Sequence, residues 1–575
     1  MILATAAVAV PYAMTVTQNV AVTMRDGTVL RADIYRPSAP GRFPVILSRT
    51  PYGKDGFDQF AQEAVPRGYV VVVEDVRGRF GSQGSFDPFV NESADGYDSV
   101  EWAARLPFCD GRVAMYGESY LGITQWLAAL ARPPHLAAIV PIYAPSDLHE
   151  GALYQGGAFE QLFAQSWSNV LARNAYAQTQ APFAFSQALP IDGFPAAARL
   201  AVPYYSQWLA HPDDDAYWTR WQLDGRYGRI LVPSYVVGGW YDIFLDGAIR
   251  EFEGMREDGG TARARELTRL RIVPGGHTGF HSTIGAVDFG PQADLVAPDA
   301  PYRPDDDVLR WLDYVVKGID DGAQSEPVVR YFVLGEDDWR SANRWPPSGS
   351  TPTTYYLASR GAANTASGDG RLTTTEPPAG GASDRFTYDP ASPVPTFGGA
   401  LCCGIPAFPR GARDQSAIER RSDVLVYSTS PLEAPLLLAG PVRATLYAST
   451  DVTDTDFTAK LVDVWPNGFA QNLCDGIVRA RYRRSAAKPT LLQPGQVVRY
   501  EIAIGSTASY LAPGHRLRLE VSGSNFPRFD RNLNTGGDQA SGTAWKAANS
   551  VVYHDAAYPS SLTLSVLHAP GKPST

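Results

Sequence analysis

The sequence predicts a chain in three parts: an α/β sheet, a helical cap inserted into it, and an all-β sandwich of the jelly-roll kind. Three observations carry this. From Thr28 to Gly122 apolar, strand-like runs alternate with amphipathic helical stretches, the pattern of a parallel sheet covered on both faces. From residue 145 to 228 those runs give way to an aromatic, amphipathic helical pattern, as in "FEQLFAQSWSNVLARNAYAQ". Beyond Trp345-Pro346-Pro347-Ser348-Gly349-Ser350, a linker-like stretch, nearly everything alternates with period two. Length agrees, because 575 residues exceed what one hydrophobic core usually organises.

The elements follow in order. "MTVTQNVAVTMRDGTVLRADIYRP" starts strand-like alternation at Met14, so residues 1–13 are expected to be dispensable. Their apolar run lacks the Lys or Arg that precedes a secretory core. Strands are expected in "FPVILSRTPYG" and "YVVVVEDVRGRFGSQG", a helix in "ADGYDSVEWAARL", then a strand in "GRVAMYG", a helix from Ser119 and a strand in "LAAIVPIYA". After the cap, "RILVPSYVVGGWYD" and "LTRLRIVPGGHTG" return to strands, and "DDVLRWLDYVVKGID" reads as a closing helix. The expected limits are therefore 1–144 and 229–350 for the two parts of the α/β-hydrolase domain, 145–228 for the cap and 351–575 for the jelly roll. In the last, "FTAKLVDVWPNGFAQ" is two strands about a Pro-Asn-Gly turn, while "HRLRLEVSGS" and "SLTLSVL" alternate.

Composition narrows the function. Hydrophobic residues at 44% and charged residues at 19%, with 53 Gly and 45 Pro, mark a loop-rich globular chain rather than a disordered or fibrous one. A net charge of −10 without any Lys/Arg run argues against nucleic acid or an anionic membrane as partner. No stretch approaches the ~20 apolar residues of a membrane span. Small molecules become the expected ligands, with the assembly state, a homodimer included, left open. Cys109, Cys402, Cys403 and Cys474 are too few and scattered for a disulfide framework, and none has metal-ligand spacing. Reduced thiols in the cytoplasm are the expectation, including the adjacent Cys402 and Cys403, which could close only a strained ring. "HPDDDAY" at 211–217 reads as a hydrated helix start rather than a metal site. Neither a GxxxxGK[ST] nor a strand-linked GxGxxG is present, so no nucleotide is implied, and no metal or organic cofactor is expected.

The chemistry centres on "VAMYGESYLGITQW", residues 113–126. A Ser at a strand-to-helix turn has its hydroxyl held outward and free helix N-terminal N–H groups beside it, which suits an activated nucleophile. An ordinary helix-capping Ser is the bland alternative. A nucleophilic Ser119 needs a base and an orienter for that base, which in α/β hydrolases follow as Asp/Glu and then His at later strand ends. Asp242 ends "YVVGGWYD" and His277 ends "LRIVPGGH", satisfying order and placement. His281, in the same loop, competes with His277.

"GESYLG", "RTPYGK", "DVRGRFGSQG", "GGWYDIF", "DTDFTAKLVDV" and "SNFPRFDRN" together resemble the cocaine esterase family of serine hydrolases, related to bacterial Xaa-Pro dipeptidyl peptidases, β-lactam acylases and amino-acid ester hydrolases. The resemblance covers nearly the whole chain. It implies Ser119 as nucleophile, His277 as base, Asp242 as its orienter, and an oxyanion hole made of the Tyr52 hydroxyl and the Tyr120 amide. Trp167, Phe244, Cys402 and Cys403 would line the acyl pocket. One departure stands out: where the family commonly has Gly-Pro-Trp-x-His, this chain reads Val273-Pro274-Gly275-Gly276-His277. The leading expectation is an esterase acting on small uncharged acyl groups through an acyl-enzyme. The alternatives are an acylase or aminopeptidase acting on amides, and a non-catalytic binding protein. Relatives acting on α-amino acid esters place carboxylates two and three residues after the catalytic Asp, where this chain has Phe244 and Leu245. Asp147, Glu150 or Glu160 of the cap could still supply such a charge.

Overall fold

The computed structural model describes residues 12–56, 58–173, 185–277, 280–297, 299–300, 302–402 and 407–568. Cys403 and residues 1–11 lie outside them.

Ten strands form the first sheet: β1 (Met14–Thr23), β2 (Val29–Pro37), β3 (Phe43–Thr50), β4 (Val70–Asp75), β5 (Cys109–Glu118), β6 (Leu136–Ile142), β7 (Tyr235–Tyr241), β8 (Arg269–Gly276), β9 (Val329–Val333) and β10 (Asp338–Ala342). Their order is β1-β2-β4-β3-β5-β6-β7-β8-β9-β10. Pairing is parallel from β4 to β9 and antiparallel at both edges.

The apolar runs have a clear cause. Val45, Leu47, Val70, Val72 and Met115 enter one core, with residues of the helices Glu92–Ala104, Tyr120–Ala131 and Leu245–Asp258 and of the cap. Their neighbours Ile46, Val71, Val73 and Ala114 enter a second core, under the helices Asp58–Ala64 and Pro304–Leu312. A strand buried on both faces has no position at which a polar residue is free of cost.

The cap is threaded between β6 and β7 and includes the helices Gln161–Arg173, Phe194–Ala198, Pro203–Ala210 and Ala216–Thr219. Its aromatics are what bury it, with Tyr205, Trp208 and Trp218 essentially without solvent contact. In "HPDDDAY", Asp215 caps the helix Ala216–Thr219 by accepting from the Tyr217 N–H at 2.8 Å, and it binds His211 Nδ1 at 2.7 Å. Those contacts are a helix start, as expected.

The C-terminal part is all-β, with a core of its own and its longest strands, Leu436–Thr450 and Val498–Leu511, paired antiparallel. It touches both other parts. Leu334, just past β9, exchanges backbone hydrogen bonds with Ala508 and Tyr510 at 3.0 and 2.8 Å. On the cap side, Tyr482 donates to Asp213 at 2.7 Å, and Arg528 meets Glu160 at 3.4 Å.

One expectation is overturned here. Cys109 and Cys474 are free, but Cys402 is disulfide-bonded rather than a free thiol. Cys402 lies in the apolar core at 5% exposure, where exchange with external thiols is impeded.

Candidate active site

Ser119 joins β5 to the helix Tyr120–Ala131 with φ 59° and ψ −124°, a left-handed conformation that a non-glycine residue holds only when its surroundings force it. The forcing contacts are visible. The Ser119 N–H donates to Ile142 at the end of β6 at 2.8 Å, and its carbonyl accepts from Gly122 and Ile123 at 2.8 and 3.1 Å. A Cβ on Gly117 would lie 2.5 Å from Leu121 Cβ, and one on Gly122 would lie 2.7 Å from Ala144 Cβ. This explains why the second glycine stands three residues after the serine. Leu121 fills the space beside Gly117, and the close approach to the chain beyond β6 falls at Gly122. The Tyr120 N–H belongs to the first turn, whose amides have no acceptor within the helix.

Asp242 and His277 follow the C-terminal ends of β7 and β8. His277 Nδ1 lies 2.7 Å from Asp242 Oδ2, with both side chains buried. The other carboxylate oxygen, Oδ1, accepts the Phe244 N–H at 2.8 Å, which fixes the plane of the group. The glycines at 276 and 239 have a packing reason. A Cβ on Gly276 would stand 2.4 Å from the Tyr241 carbonyl, and one on Gly239 would stand 2.5 Å from the Gly275 carbonyl. The two strand ends close to this distance only with glycines, and that brings His277 against Asp242. His281 is elsewhere: its ring is 74% exposed and its Nδ1 is 3.6 Å from Asp294.

The electrostatics at His277 are a contest. Burial disfavours the imidazolium, while the charge and hydrogen bond of Asp242 and the charge of Glu118 favour it, and the sum raises the pKa above its ordinary value. Arg410, from the β-sandwich, acts in the opposite direction. Sequence reasoning missed Glu118 and Arg410. Glu118 was beside Ser119 in plain view, but nothing local to residue 410 links it to a site more than 130 residues away.

Ser119 opens on an apolar pocket walled by Phe89, Leu148, Phe163, Trp167 and Phe244. Phe163 stacks on Trp167 at 5.6 Å and meets Phe244 edge-on at 5.6 Å. Phe244 in turn meets the His277 ring edge-on at 5.3 Å. Trp167 and Phe244 line this pocket together with Phe163, which the sequence reading did not name although its i, i+4 spacing from Trp167 was a usable signal. Cys402 shares the surrounding apolar core but is not part of the lining, and Cys403 lies outside the described residues. The Tyr52 hydroxyl accepts the Trp167 indole N–H at 3.1 Å. Among the described residues no hydrogen bond joins Ser119 Oγ to His277, a contact that is often long without substrate and tightens with it.

Residues 26–279 match the model of the X-Pro dipeptidyl-peptidase (S15) family, and residues 321–563 match that of the X-Pro dipeptidyl-peptidase C-terminal non-catalytic domain. The chain is 38% identical to the cocaine esterase of Rhodococcus sp. (strain MB1 Bresler) over 555 residues, covering 91% of this chain and 93% of that one. The chain belongs to the S15 family. An α-amino acid ester hydrolase structure superposes with a TM-score of 0.82 at 26% identity, covering 98% of both chains. An aminopeptidase from the marine sediment archaeon Thaumarchaeota archaeon shares the fold, with a TM-score of 0.80 at 24% identity over 98% of this chain and 97% of its own. As an S15 protein of the cocaine-esterase type, the chain is a serine hydrolase. Among the described residues no helix is long and apolar enough to cross a membrane.

Proposed function

We propose that this serine hydrolase cleaves esters of small uncharged acyl groups through an acyl-enzyme formed on Ser119. The Ser119 hydroxyl attacks the ester carbonyl as His277 Nε2 takes its proton, and Asp242 holds the imidazole tautomer and stabilises its charged form. The Tyr52 hydroxyl and the Tyr120 amide donate to the tetrahedral oxyanion, His277 returns the proton to the leaving alcohol, and water then releases the acid by the same route. The observation that carries this reading is the buried 2.7 Å contact of His277 Nδ1 with Asp242, on neighbouring strand ends and downstream of a strained Ser119.

The substrate class follows from the pocket. Phe163, Trp167 and Phe244 give an apolar lining to an acyl group and no charge to an α-ammonium, whose burial without a partner would cost several kcal/mol. The cap carboxylates that could have supplied one are engaged. Glu160 faces Arg528, Glu150 accepts the Gly156 N–H at 3.0 Å, and Asp147 accepts from the His149 N–H and Gln222 at 2.8 and 3.1 Å. The net charge of −10 supports a chain that binds no nucleic acid. A fluorophosphonate probe, read by peptide mapping, tests the core of the reading: Ser119 is the expected adduct, and labelling of another serine overturns it. Phenylacetyl and phenylglycyl esters, compared by kcat/KM, test the substrate class. The des-amino substrate is expected to be favoured at least about tenfold, a difference of about 1.4 kcal/mol.

A further inference from the structure

The sequence "DVRGRFGSQG" is so far without a task. Its two arginines part company in the fold. Arg77, its side chain 14% exposed, binds the buried Asp95 through two nitrogens at 2.8 and 2.6 Å. Arg79 points inward and is only 9% exposed. The loop that allows this is tight: Gly78 has φ 71°, and a Cβ there would stand 2.2 Å from the Phe86 nitrogen.

Arg79 Nε donates to the Pro51 carbonyl at 2.8 Å, and its Nη1 donates to the Leu171 carbonyl at 2.8 Å. Pro51 immediately precedes Tyr52. Leu171 lies one helical turn beyond Trp167 on the helix Gln161–Arg173, and the Trp167 indole N–H donates to the Tyr52 hydroxyl at 3.1 Å. Three hydrogen bonds therefore close a ring through Arg79, the Pro51-Tyr52 turn and the cap helix. The faces of Phe80 and Phe86, with centroids 5.3 and 5.0 Å from the guanidinium carbon, hold its plane.

We propose that Arg79 is a positioning residue for the oxyanion hole, locking the turn that carries Tyr52 to the cap helix that carries Trp167. The proposal rests on the reading of Tyr52 as an oxyanion donor. A phenolic oxygen has one proton and two lone pairs. With one lone pair taken by the indole N–H, the Tyr52 proton is directed away from Trp167, and the donated bond polarises the O–H it must offer. Neither effect survives if the helix slides relative to the turn. A guanidinium suits the clamp because its fixed fork reaches two carbonyls at once, whereas an ammonium is a single point. The cap then does more than wall the pocket: its seating aims a hydrogen-bond donor that belongs to the sheet.

The test is a set of double-mutant cycles on a p-nitrophenyl ester, with kcat and KM measured separately. Tyr52→Phe is expected to lower kcat by ~10²–10³. Arg79→Met is expected to lower kcat about tenfold or more with KM changed less than about threefold, Arg79→Lys to fall between it and wild type, and Trp167→Phe, which also alters the pocket wall, to lower kcat about tenfold or more. Combined with Tyr52→Phe, neither Arg79→Met nor Trp167→Phe is expected to lower kcat further, because the donor they aim is already gone. If both losses multiply with that of Tyr52→Phe, or if Arg79→Met changes KM alone, the clamp is refuted while the Tyr52 reading stands. A fully active Tyr52→Phe refutes both. Should Arg79→Met fail to melt cooperatively, the Arg79→Lys cycle with Tyr52→Phe decides: a kcat loss that vanishes in the Tyr52→Phe background is expected, and one that multiplies refutes the clamp.

Discussion

Among the described residues, two groups of serine, histidine and aspartate lie close together, and their geometry differs. In the α/β domain, His277 uses Nδ1 for Asp242, leaving Nε2 for a substrate-side task, and Ser119 stands on a strained turn at a pocket. In the β-sandwich, Ser359 Oγ and Asp384 Oδ2 both meet the same nitrogen, His554 Nε2, at 3.0 and 2.9 Å. Ser359 also lies 2.8 and 2.7 Å from the two Asp384 oxygens, which accept further bonds from the Ala363 N–H and the Tyr427 hydroxyl at 2.9 Å each. The second cluster converges on a buried carboxylate and satisfies it. The first distributes its partners along a line from carboxylate to ring. Composition is shared, and the assignment of ring nitrogens decides what each cluster can do.

The largest expected effect separates them outright. Ser119→Ala should lower kcat on a p-nitrophenyl ester by about 10⁶ with folding intact, whereas Ser359→Ala should leave kcat within a factor of about two. Activity surviving in the first variant would break the distinction. Next is Asp242→Asn, expected to slow turnover by about 10⁴ because the imidazole loses both its tautomer and the charge that stabilises it. Parallel melts and circular dichroism establish that the loss is chemical. A smaller effect belongs to the sandwich. Ser359→Ala removes a hydroxyl from a fully buried Asp384, so denaturant titration should show a loss of about 1–3 kcal/mol in the stability of that part. An unchanged midpoint would mean the carboxylate finds another donor.

What was legible in the sequence divides by range. Ser119, Asp242 and His277 each end a local strand pattern, and their chain order is a property of the sequence itself. The three-part layout was equally readable, because it rests on periodicity and composition within each stretch. The reason for the glycine at 276 was not, since it lies in a carbonyl of the neighbouring strand that no sequence window contains. The disulfide of Cys402 was misjudged because ring strain argued for free thiols while burial was invisible. Arg79 was visible as a motif but mute, its partners being two backbone carbonyls from elements 28 and 92 residues away.

The smallest expected effect concerns Arg410, and it sharpens the comparison at the level of charge. Its neighbours fix its place: the Gly411 carbonyl accepts from Asn472 Nδ2 at 3.3 Å, and the Asn472 carbonyl accepts the hydroxyl of Tyr241, the residue before Asp242, at 3.0 Å. Ala412 in turn accepts the Ala286 N–H at 2.7 Å, from the loop beyond His277. Among the described residues the buried Arg410 Nη1 has no hydrogen-bond partner, and its charge is felt by both Asp242 and His277. Burial opposes the imidazolium, Asp242 and Glu118 favour it, and Arg410 opposes it. Removing the guanidinium leaves the imidazolium better stabilised, so the His277 pKa rises further. Since the neutral ring is the form that accepts the serine proton, the acid limb of kcat/KM against pH should move to higher pH in Arg410→Gln, with the plateau unchanged. Arg410→Lys keeps the charge and should keep the wild-type limb. A limb that stays put in the Gln variant, or moves to lower pH, would mean the sandwich contributes packing but no charge to the base.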